Sequence, residues 1–104
     1  MLNVANACQT CHNYSEDEIQ ARVLIIQDRT NELMNNAEVA VGDLISDIEA
    51  AAAAGIPAED LTTAREFHRH AQWWLDFVAA ENSMGCHAPQ EAARVLGESA
   101  DLAR

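Results

Sequence analysis

Residues 15–57, SEDEIQARVLIIQDRTNELMNNAEVAVGDLISDIEAAAAAGIP, carry the strongest secondary-structure signal in the chain. Ser15 and Glu18 form a capping-box pattern at the start, and Gly55 followed by Pro57 is typical of a helix end. Between them, one side-chain stripe recurs at steps of three or four residues, which is the spacing of one helical face. The stripe consists of Ile19, Val23, Ile26, Thr30, Leu33, Ala37, Val41, Leu44 and Ile48. The pattern predicts one uninterrupted helix of about 39 residues, about 58 Å long.

A helix of this length is too long for a chain of 104 residues to cover by itself. Amphipathic helices are stabilised mainly by packing of their apolar face. We therefore expect a second copy of the chain to cover part of the stripe, in a homodimer built on the first two helices.

Two further helices follow. The second is predicted to begin near Pro57 or Ala58, and the short turn predicts that it packs antiparallel to the first. Its stripe consists of Leu61, Ala64, Phe67, Ala71, Trp74 and Val78. Residues 81–85 interrupt the pattern, and Pro89 opens a shorter third helix. That helix carries Ala92, Ala93, Leu96 and Leu102. No segment alternates as a strand does, so the predicted class is all-α: a long antiparallel helical hairpin plus a short third helix, in a single domain over residues 1–104.

The charge of the chain restricts its partners. The sequence has 17 acidic and 6 basic side chains, for a formal net charge of -11. Affinity for nucleic acids comes mainly from Lys and Arg side chains that neutralise phosphates, and anionic membranes also attract basic segments. No apolar run approaches the ~18 residues of a membrane span. We therefore expect neither nucleic acid nor a membrane as a partner.

Residues 8–12, CQTCH, have the form C-x-x-C-H at the N-terminal side of the first helix. The spacing suits covalent haem attachment, in which each cysteine adds its sulfur to one haem vinyl group and the histidine becomes an axial ligand of the iron. We expect one haem c per chain, bound through Cys8, Cys11 and His12.

Two alternatives to haem use the same cysteines. A redox dithiol of the thioredoxin type belongs with a βαβ pattern, which this sequence lacks. A zinc site would need a second pair of ligands, which Cys86 and His87 could supply.

The second axial ligand has five candidates: His68, His70, His87, Met34 and Met84. His68 and His70 are two residues apart on a helix, so their side chains point about 200° from each other and cannot share one site. Packing, or a hydrogen bond to a haem propionate, is the more ordinary role for both. His87 lies beside a loop and just before a proline, where non-helical backbone can aim the ring inward. We expect His87 to be the distal ligand.

Several motifs together resemble a known segment. They are C-x-x-C-H at residues 8–12, the long helix, His70-Ala71-Gln72-Trp73, Asp76, His87-Ala88-Pro89, Glu91 and Val95-Leu96-Gly97. In this combination the chain resembles the C-terminal part of the pentahaem, ammonia-forming cytochrome c nitrite reductases, from about Asn6 to Gly97. The spacing from His12 to His87 is also kept.

The resemblance implies that Cys8, Cys11 and His12 match the last haem site of that family. The residue that matches His87 is the distal ligand of the preceding haem, and the long helices form the homodimer contact. The catalytic haem with its lysine ligand, the other C-x-x-C-H motifs and the catalytic Arg, Tyr and His belong to upstream sequence that is missing here. The resemblance therefore implies the electron-transfer and dimerisation end of such an enzyme without its catalytic end.

These observations favour a monohaem c-type cytochrome, not an enzyme, that transfers electrons through a bis-His haem in a helical homodimer. Since the chain has no second haem motif, we expect His87 of each chain to reach the haem of the other. One alternative is an excised or diverged piece of a multihaem nitrite reductase. Another is a haem enzyme with an open sixth site that acts on small nitrogen oxides or peroxide, and a third is a helical interaction module with structural zinc.

Cys86 is the odd cysteine of the three. It either forms a disulfide with the same residue across a two-fold axis or packs as a small apolar thiol. We expect no disulfide.

Haem attachment to C-x-x-C-H implies a periplasmic or other extracytoplasmic location. Met1-Leu2-Asn3-Val4 nevertheless lacks the basic region and the long apolar stretch of a signal peptide. We therefore expect the numbering to start either at a mature chain or inside a longer one.

Overall fold

Three α-helices make up most of the chain in a computed structural model that describes residues 3–104. They are α1 Glu16–Ala53, α2 Thr62–Ala80 and α3 Pro89–Ala103, and a five-residue π-helix, Val4–Cys8, precedes them. The molecule is a rod with extents of 60 × 19 × 16 Å. The described residues contain no strand, so the predicted all-α class is confirmed. The inference about a signal peptide includes Met1 and Leu2, which lie outside the described residues.

Both ends of α1 form as predicted. The Ser15 hydroxyl accepts a hydrogen bond from the Glu18 backbone N–H at 3.3 Å, and the Glu18 carboxylate accepts one from the Ser15 N–H at 3.2 Å. At the other end, Gly55 adopts a left-handed φ of 88°. The Ile56 N–H then donates to the Ala51 carbonyl at 3.1 Å, which closes the last turn. The helix has 38 residues, in agreement with the prediction.

The predicted start of α2 was wrong by one helical turn. The Asp60 N–H donates to the Pro57 carbonyl at 3.1 Å, and the Thr62 N–H donates to the Glu59 carbonyl at 3.4 Å. Each of these bonds joins residues three apart, as in a tight turn, and the turns reverse the direction of the chain here. The helix therefore begins only at Thr62.

α3 packs against both longer helices, so the three helices form a bundle. Val95 and Leu96 of α3 are each 1% exposed. The buried Ser99 hydroxyl donates to the Ala71 carbonyl of α2 at 2.7 Å. Small side chains in the shared core let the helices approach closely. They include Ala37, Ala40, Ala71, Ala100 and Ala103.

The stripe of α1 is covered within the chain. All nine of its positions are buried or half-buried. α2 and α3 cover the central and C-terminal parts, and the π-helix and the loop after α2 reach the N-terminal part. A second copy is therefore not needed to cover this stripe, contrary to the reason given for the predicted dimer. The dimer itself stays a prediction.

The large apolar side chains that remain exposed lie on other faces. Trp73 and Phe77 of α2 are 65% and 56% exposed, and Phe67, predicted as a core position, is 46% exposed. The ring of Trp74 contacts that of Phe77 edge-to-face, with centroids 6.4 Å apart. Within residues 3–104, no helix combines the length and the apolar character that crossing a bilayer requires.

Candidate functional site

The C-x-x-C-H segment forms a tight turn beside the N-terminal part of α1. Val4 of the preceding π-helix is 2% exposed, and that helix packs on α1. The Cys8 carbonyl accepts hydrogen bonds from the N–H groups of Cys11, at 3.1 Å, and His12, at 2.9 Å. The two intervening side chains donate to backbone carbonyls outside the motif. Both thiols and the imidazole border one cavity.

The first turns of α1 form a wall of this cavity. Ile19, Val23 and Ile26 supply apolar surface, and Arg22 and Gln27 supply polar groups. The cavity measures about 1020 Å³. Sites for small molecules and cofactors measure roughly 300–1,000 Å³, so this one is large enough for a macrocycle.

The loop between α2 and α3 lies on the other side of the cavity. It contains two consecutive left-handed residues, Met84 with φ 53° and Gly85 with φ 81°. Gly85 lies so close to α1 that a Cβ atom there would overlap the Thr30 hydroxyl. The Gln27 side chain of α1 donates to the Ser83 carbonyl at 3.3 Å. These contacts hold the loop on the face of α1 that also lines the cavity.

His87 borders the cavity from this loop, together with Cys8, Cys11 and His12. Its backbone N–H donates to the Ser83 hydroxyl at 3.1 Å. Its side chain is 83% exposed. The backbone position of His87 is therefore fixed while its imidazole remains accessible. The structure brings together the four residues that the sequence nominates for haem binding.

The carboxylate of Glu81 organises the start of the loop. It accepts hydrogen bonds from the Ser83 N–H and hydroxyl, both at 2.7 Å, and from the Gly85 N–H at 3.2 Å. These bonds, and first the one from the Ser83 hydroxyl, hold the pKa of Glu81 below its ordinary value of 4.5. The Glu81 Oε1 lies 4.0 Å from the His87 Nδ1. An ionised carboxylate therefore faces the imidazole at neutral pH.

Cys86 is a half-buried thiol in the cavity wall. Its Sγ donates to the Val23 carbonyl of α1 at 3.8 Å. Burial raises the pKa of this thiol, and the negative charge of Glu81 raises it further. All three cysteines are free. The contact with α1 agrees with a packed thiol, and the absence of a disulfide between two copies stays a prediction.

The other candidate iron ligands lie elsewhere, since none of them is among the described residues that line the cavity. His68 of α2 has a buried Nε2 with no hydrogen-bond partner, and His70 is exposed. Met34 packs against the core, and Met84 lies in the loop. Residues 3–104 also contain no group of three or more His, Cys, Asp or Glu side chains arranged to hold a metal ion, so the zinc alternative gains no support.

The polar residues at the cavity that were not predicted from the sequence include Arg22, Gln27 and Ser83. Arg22 and Gln27 flank the apolar stripe of α1 near the C-x-x-C-H motif. Their place in the sequence could therefore have nominated them as neighbours of the motif. Ser83 gives no such signal, because its role depends on how the loop folds back onto α1.

The sequence profile of the cytochrome c552 family matches residues 1–104. The chain belongs to the cytochrome c552 family. Covalent haem c is therefore the cofactor that family membership implies. The paired thiols, the adjacent imidazole, the apolar wall and the volume of the cavity all fit that group.

Several curated relatives are similar to nearly the whole chain. It is 29% identical over 103 residues to the cytochrome c-552 of Porphyromonas gingivalis, and the aligned residues cover 99% of the chain and 21% of the relative. It is 32% identical over 100 residues to the cytochrome c-552 of Bacteroides fragilis, which covers 96% of the chain and 20% of the relative. It is 40% identical over 101 residues to a cytochrome c nitrite reductase subunit of Nitratidesulfovibrio vulgaris, which covers 89% of the chain and 19% of the relative.

The last of these matches confirms the predicted resemblance to cytochrome c nitrite reductases. The chain spans about a fifth of the length of these relatives.

Proposed function

We propose that the chain binds one haem c through thioether bonds from Cys8 and Cys11, with His12 as the proximal iron ligand, and that it transfers electrons. The observation that carries this proposal is the shared cavity. Two thiols and an imidazole from one tight turn face the apolar wall of α1, and a second imidazole, from His87, borders the same space. When bound, haem c supplies a one-electron ferric/ferrous couple.

Other residues of the cavity are suited to bind and orient this group. Ile19, Val23 and Ile26 offer apolar contact area that excludes water. Arg22 is the only Lys or Arg side chain among the described residues that line the cavity. A guanidinium group binds carboxylates in bidentate geometry, so we assign Arg22 to the haem propionates.

Intact-mass spectrometry tests the attachment. The chain should be heavier by one haem that survives acid–acetone extraction, and the double variant Cys8→Ala/Cys11→Ala should lack it. Cys86→Ala is the matched control, because it removes the remaining thiol and should leave the haem attached. An extractable haem, or a zinc ion in its place, would contradict the proposal.

We assign His87 as the second axial ligand of a haem iron. Its side chain is 83% exposed, so a group outside its own chain can reach the ring. In the family that the sequence resembles, the matching residue serves a neighbouring haem. We therefore propose that each His87 in a two-fold dimer binds the haem iron of the other chain.

Mixed dimers separate this exchange from ligation within one chain. One chain carries His87→Ala and keeps its haem, and the other carries Cys8→Ala/Cys11→Ala and keeps His87. Exchange predicts a low-spin spectrum for the mixed dimer, whereas ligation within the chain predicts a high-spin haem that binds carbon monoxide. A low-spin spectrum in the pure His87→Ala protein would refute His87 as a ligand and point to His70 or His68.

Two histidine ligands make the chain an electron carrier and not an enzyme. They leave no open coordination site, and they give a lower reduction potential than a His/Met pair, because methionine ligation raises the potential. The oxidised wild-type protein should therefore show a low-spin visible spectrum. A high-spin charge-transfer band would instead support an enzyme that acts on nitrogen oxides or peroxide.

We propose that the dimer forms through the exposed aromatic face of α2. Trp73 and Phe77 lie one turn apart on this face and are mostly exposed, and such clustered apolar surface marks interaction sites. Sedimentation of the wild type should give twice the monomer mass, and Trp73→Glu/Phe77→Glu should give the monomer mass. Ile56→Glu is the control, because it places a glutamate on an exposed apolar position in the turn after α1. A folded wild-type monomer at micromolar concentration would contradict the dimer.

We propose an extracytoplasmic location, such as the periplasm, because that is where haem is attached to C-x-x-C-H motifs. Haem-stained gels of cell fractions test this, and staining confined to the cytoplasmic fraction would contradict it. For this chain we propose electron transfer only, since residues 8–12 are its single C-x-x-C-H motif.

A further inference from the structure

Glu81 and His87 face each other across the loop between α2 and α3. The carboxylate oxygen lies 4.0 Å from the imidazole Nδ1, about 1 Å longer than an N–H···O hydrogen bond. Because the His87 side chain is 83% exposed, the ring has room to close this gap. Among residues 3–104, Glu81 is the one carboxylate within ion-pair distance of the ring.

The carboxylate approaches His87 from outside the haem cavity. Glu81 does not line that cavity, as far as the described residues show. It borders, together with His87, a separate cleft of about 100 Å³. One edge of the imidazole can therefore meet the carboxylate while the ring itself borders the haem cavity.

The Ser83 side chain also ties the Glu81 carboxylate to the backbone of His87. The Ser83 hydroxyl donates to the Glu81 carboxylate at 2.7 Å and accepts from the His87 N–H at 3.1 Å, so one buried group links both. The loop is in turn fastened to α1 by the Cys86 thiol and by the Gln27 side chain. The Glu81 carboxylate and the backbone of His87 cannot separate without breaking these bonds, while the exposed imidazole keeps the freedom to turn toward the carboxylate.

We propose that Glu81 is a positioning residue that holds the Nδ1–H of His87 and thereby leaves Nε2 free to bind the haem iron. The inference rests on the proposed role of His87 as an iron ligand. Histidines that bind metals almost always donate their other ring N–H to a carboxylate, a carbonyl or water. Such a partner fixes the tautomer and the ring orientation, and it makes the ligating nitrogen a stronger donor.

The consequence is a lower reduction potential. A stronger nitrogen donor and a nearby negative charge both stabilise ferric iron more than ferrous iron. Loss of such a partner costs about 10–100-fold in metal affinity. Because the ferric state gains more from this partner, it should also lose more when the partner is removed. We expect Glu81→Gln to shift the ferric/ferrous equilibrium toward the ferrous form by about tenfold, which is about 59 mV for one electron.

Spectroelectrochemistry of the haem-loaded dimer measures this shift. Glu91→Gln is the matched control, because it removes one negative charge from the same small cleft, where the Glu91 carboxylate pairs with Arg94 and not with His87. Glu81→Asp keeps the charge but withdraws it by one methylene, so it should shift the potential in the same direction by less. It also serves as the second test if Glu81→Gln does not fold.

A second readout needs no haem. In the haem-free chain, the nitrogen chemical shifts of His87 report which ring nitrogen carries the proton. The Nδ1–H tautomer should predominate in the wild type and decline in Glu81→Gln, with no change in Glu91→Gln.

The possible failures are distinguishable. Suppose His87→Ala abolishes the low-spin spectrum, but Glu81→Gln shifts neither the potential nor the tautomer more than Glu91→Gln does. Then the role of Glu81 is refuted and the ligand assignment stands. If His87→Ala leaves the low-spin spectrum intact, the ligand assignment is refuted, and the role of Glu81 falls with it.

Discussion

Gly85→Ala should destabilise the fold through two separate effects at the loop that presents His87. Gly85 has a φ of 81°, a left-handed conformation that L side chains rarely adopt. A Cβ atom there would also overlap the Thr30 hydroxyl and lie 3.2 Å from both the Cβ and the Cγ2 atom of Thr30. Thr30 is 4% exposed, and χ1 of a β-branched side chain is restricted in a helix. Turning the hydroxyl away from the added Cβ atom therefore carries a cost of its own.

The size of each effect follows from the geometry. A left-handed alanine costs about 1–2 kcal/mol relative to glycine. Forcing an extra methyl group into a packed site costs about 1–3 kcal/mol more. Gly55→Ala provides the control, because Gly55 has a similar φ of 88° but no atom within 4 Å of the added Cβ. We expect Gly85→Ala to lower the free energy of unfolding by about 1–3 kcal/mol more than Gly55→Ala does.

Urea denaturation of the haem-loaded protein, followed by circular dichroism at 222 nm, gives both free energies. The double variant Gly85→Ala/Thr30→Ala removes the overlapping hydroxyl, so it should recover part of the loss beyond additivity. If Gly85→Ala costs no more than Gly55→Ala, the close packing of the loop on α1 is refuted.

Three further outcomes are expected. Ser99→Ala removes the buried hydrogen bond between α3 and α2, and it should lower the free energy of unfolding by about 1 kcal/mol in the same urea titration. The capping bonds of Ser15 hold the pKa of Glu18 below 4.5. Their stabilisation is therefore full above that pH and is lost as the pH falls through the pKa of the folded state. Glu18→Gln should make the melting temperature depend less on pH between pH 5 and pH 3. Burial raises the pKa of the Cys86 thiol, so in the haem-free chain iodoacetamide should modify it more slowly than the exposed Cys11, as measured by peptide mass spectrometry.

The helices were predictable where local chemistry sets them. The side chains of Ser15 and Glu18 each accept a hydrogen bond from the other's backbone N–H, and Gly55 takes the left-handed conformation that ends α1. The start of α2 was not predictable in this way, because a proline suits both the first turn of a helix and a tight turn. Phe67 fits the helical stripe of α2 but remains 46% exposed. The spacing of apolar residues does not specify which side of α2 packs against α1 and α3.

The sequence nominates residues for the candidate site but does not specify how they are arranged. Cys8, Cys11 and His12 follow from their spacing, and His87 follows from its place between a loop and a proline. The left-handed conformation of Met84 could not be read from the sequence, because methionine rarely adopts it. The environment of Glu81 was equally hidden, because its hydrogen bonds exist only once the loop has folded.

The three anchoring points of the loop, at Val23, Gln27 and Thr30, are spaced by four and three residues along α1. The shape of the cavity therefore depends on which face of α1 these three positions occupy. A single inserted residue before Thr30 would turn the following helix by about 100° and advance it by about 1.5 Å. The loop would then no longer meet the wall that the C-x-x-C-H turn faces. An insertion in the turn over residues 54–61, at the opposite end of the rod, would leave the contacts between the loop and these three positions of α1 unchanged.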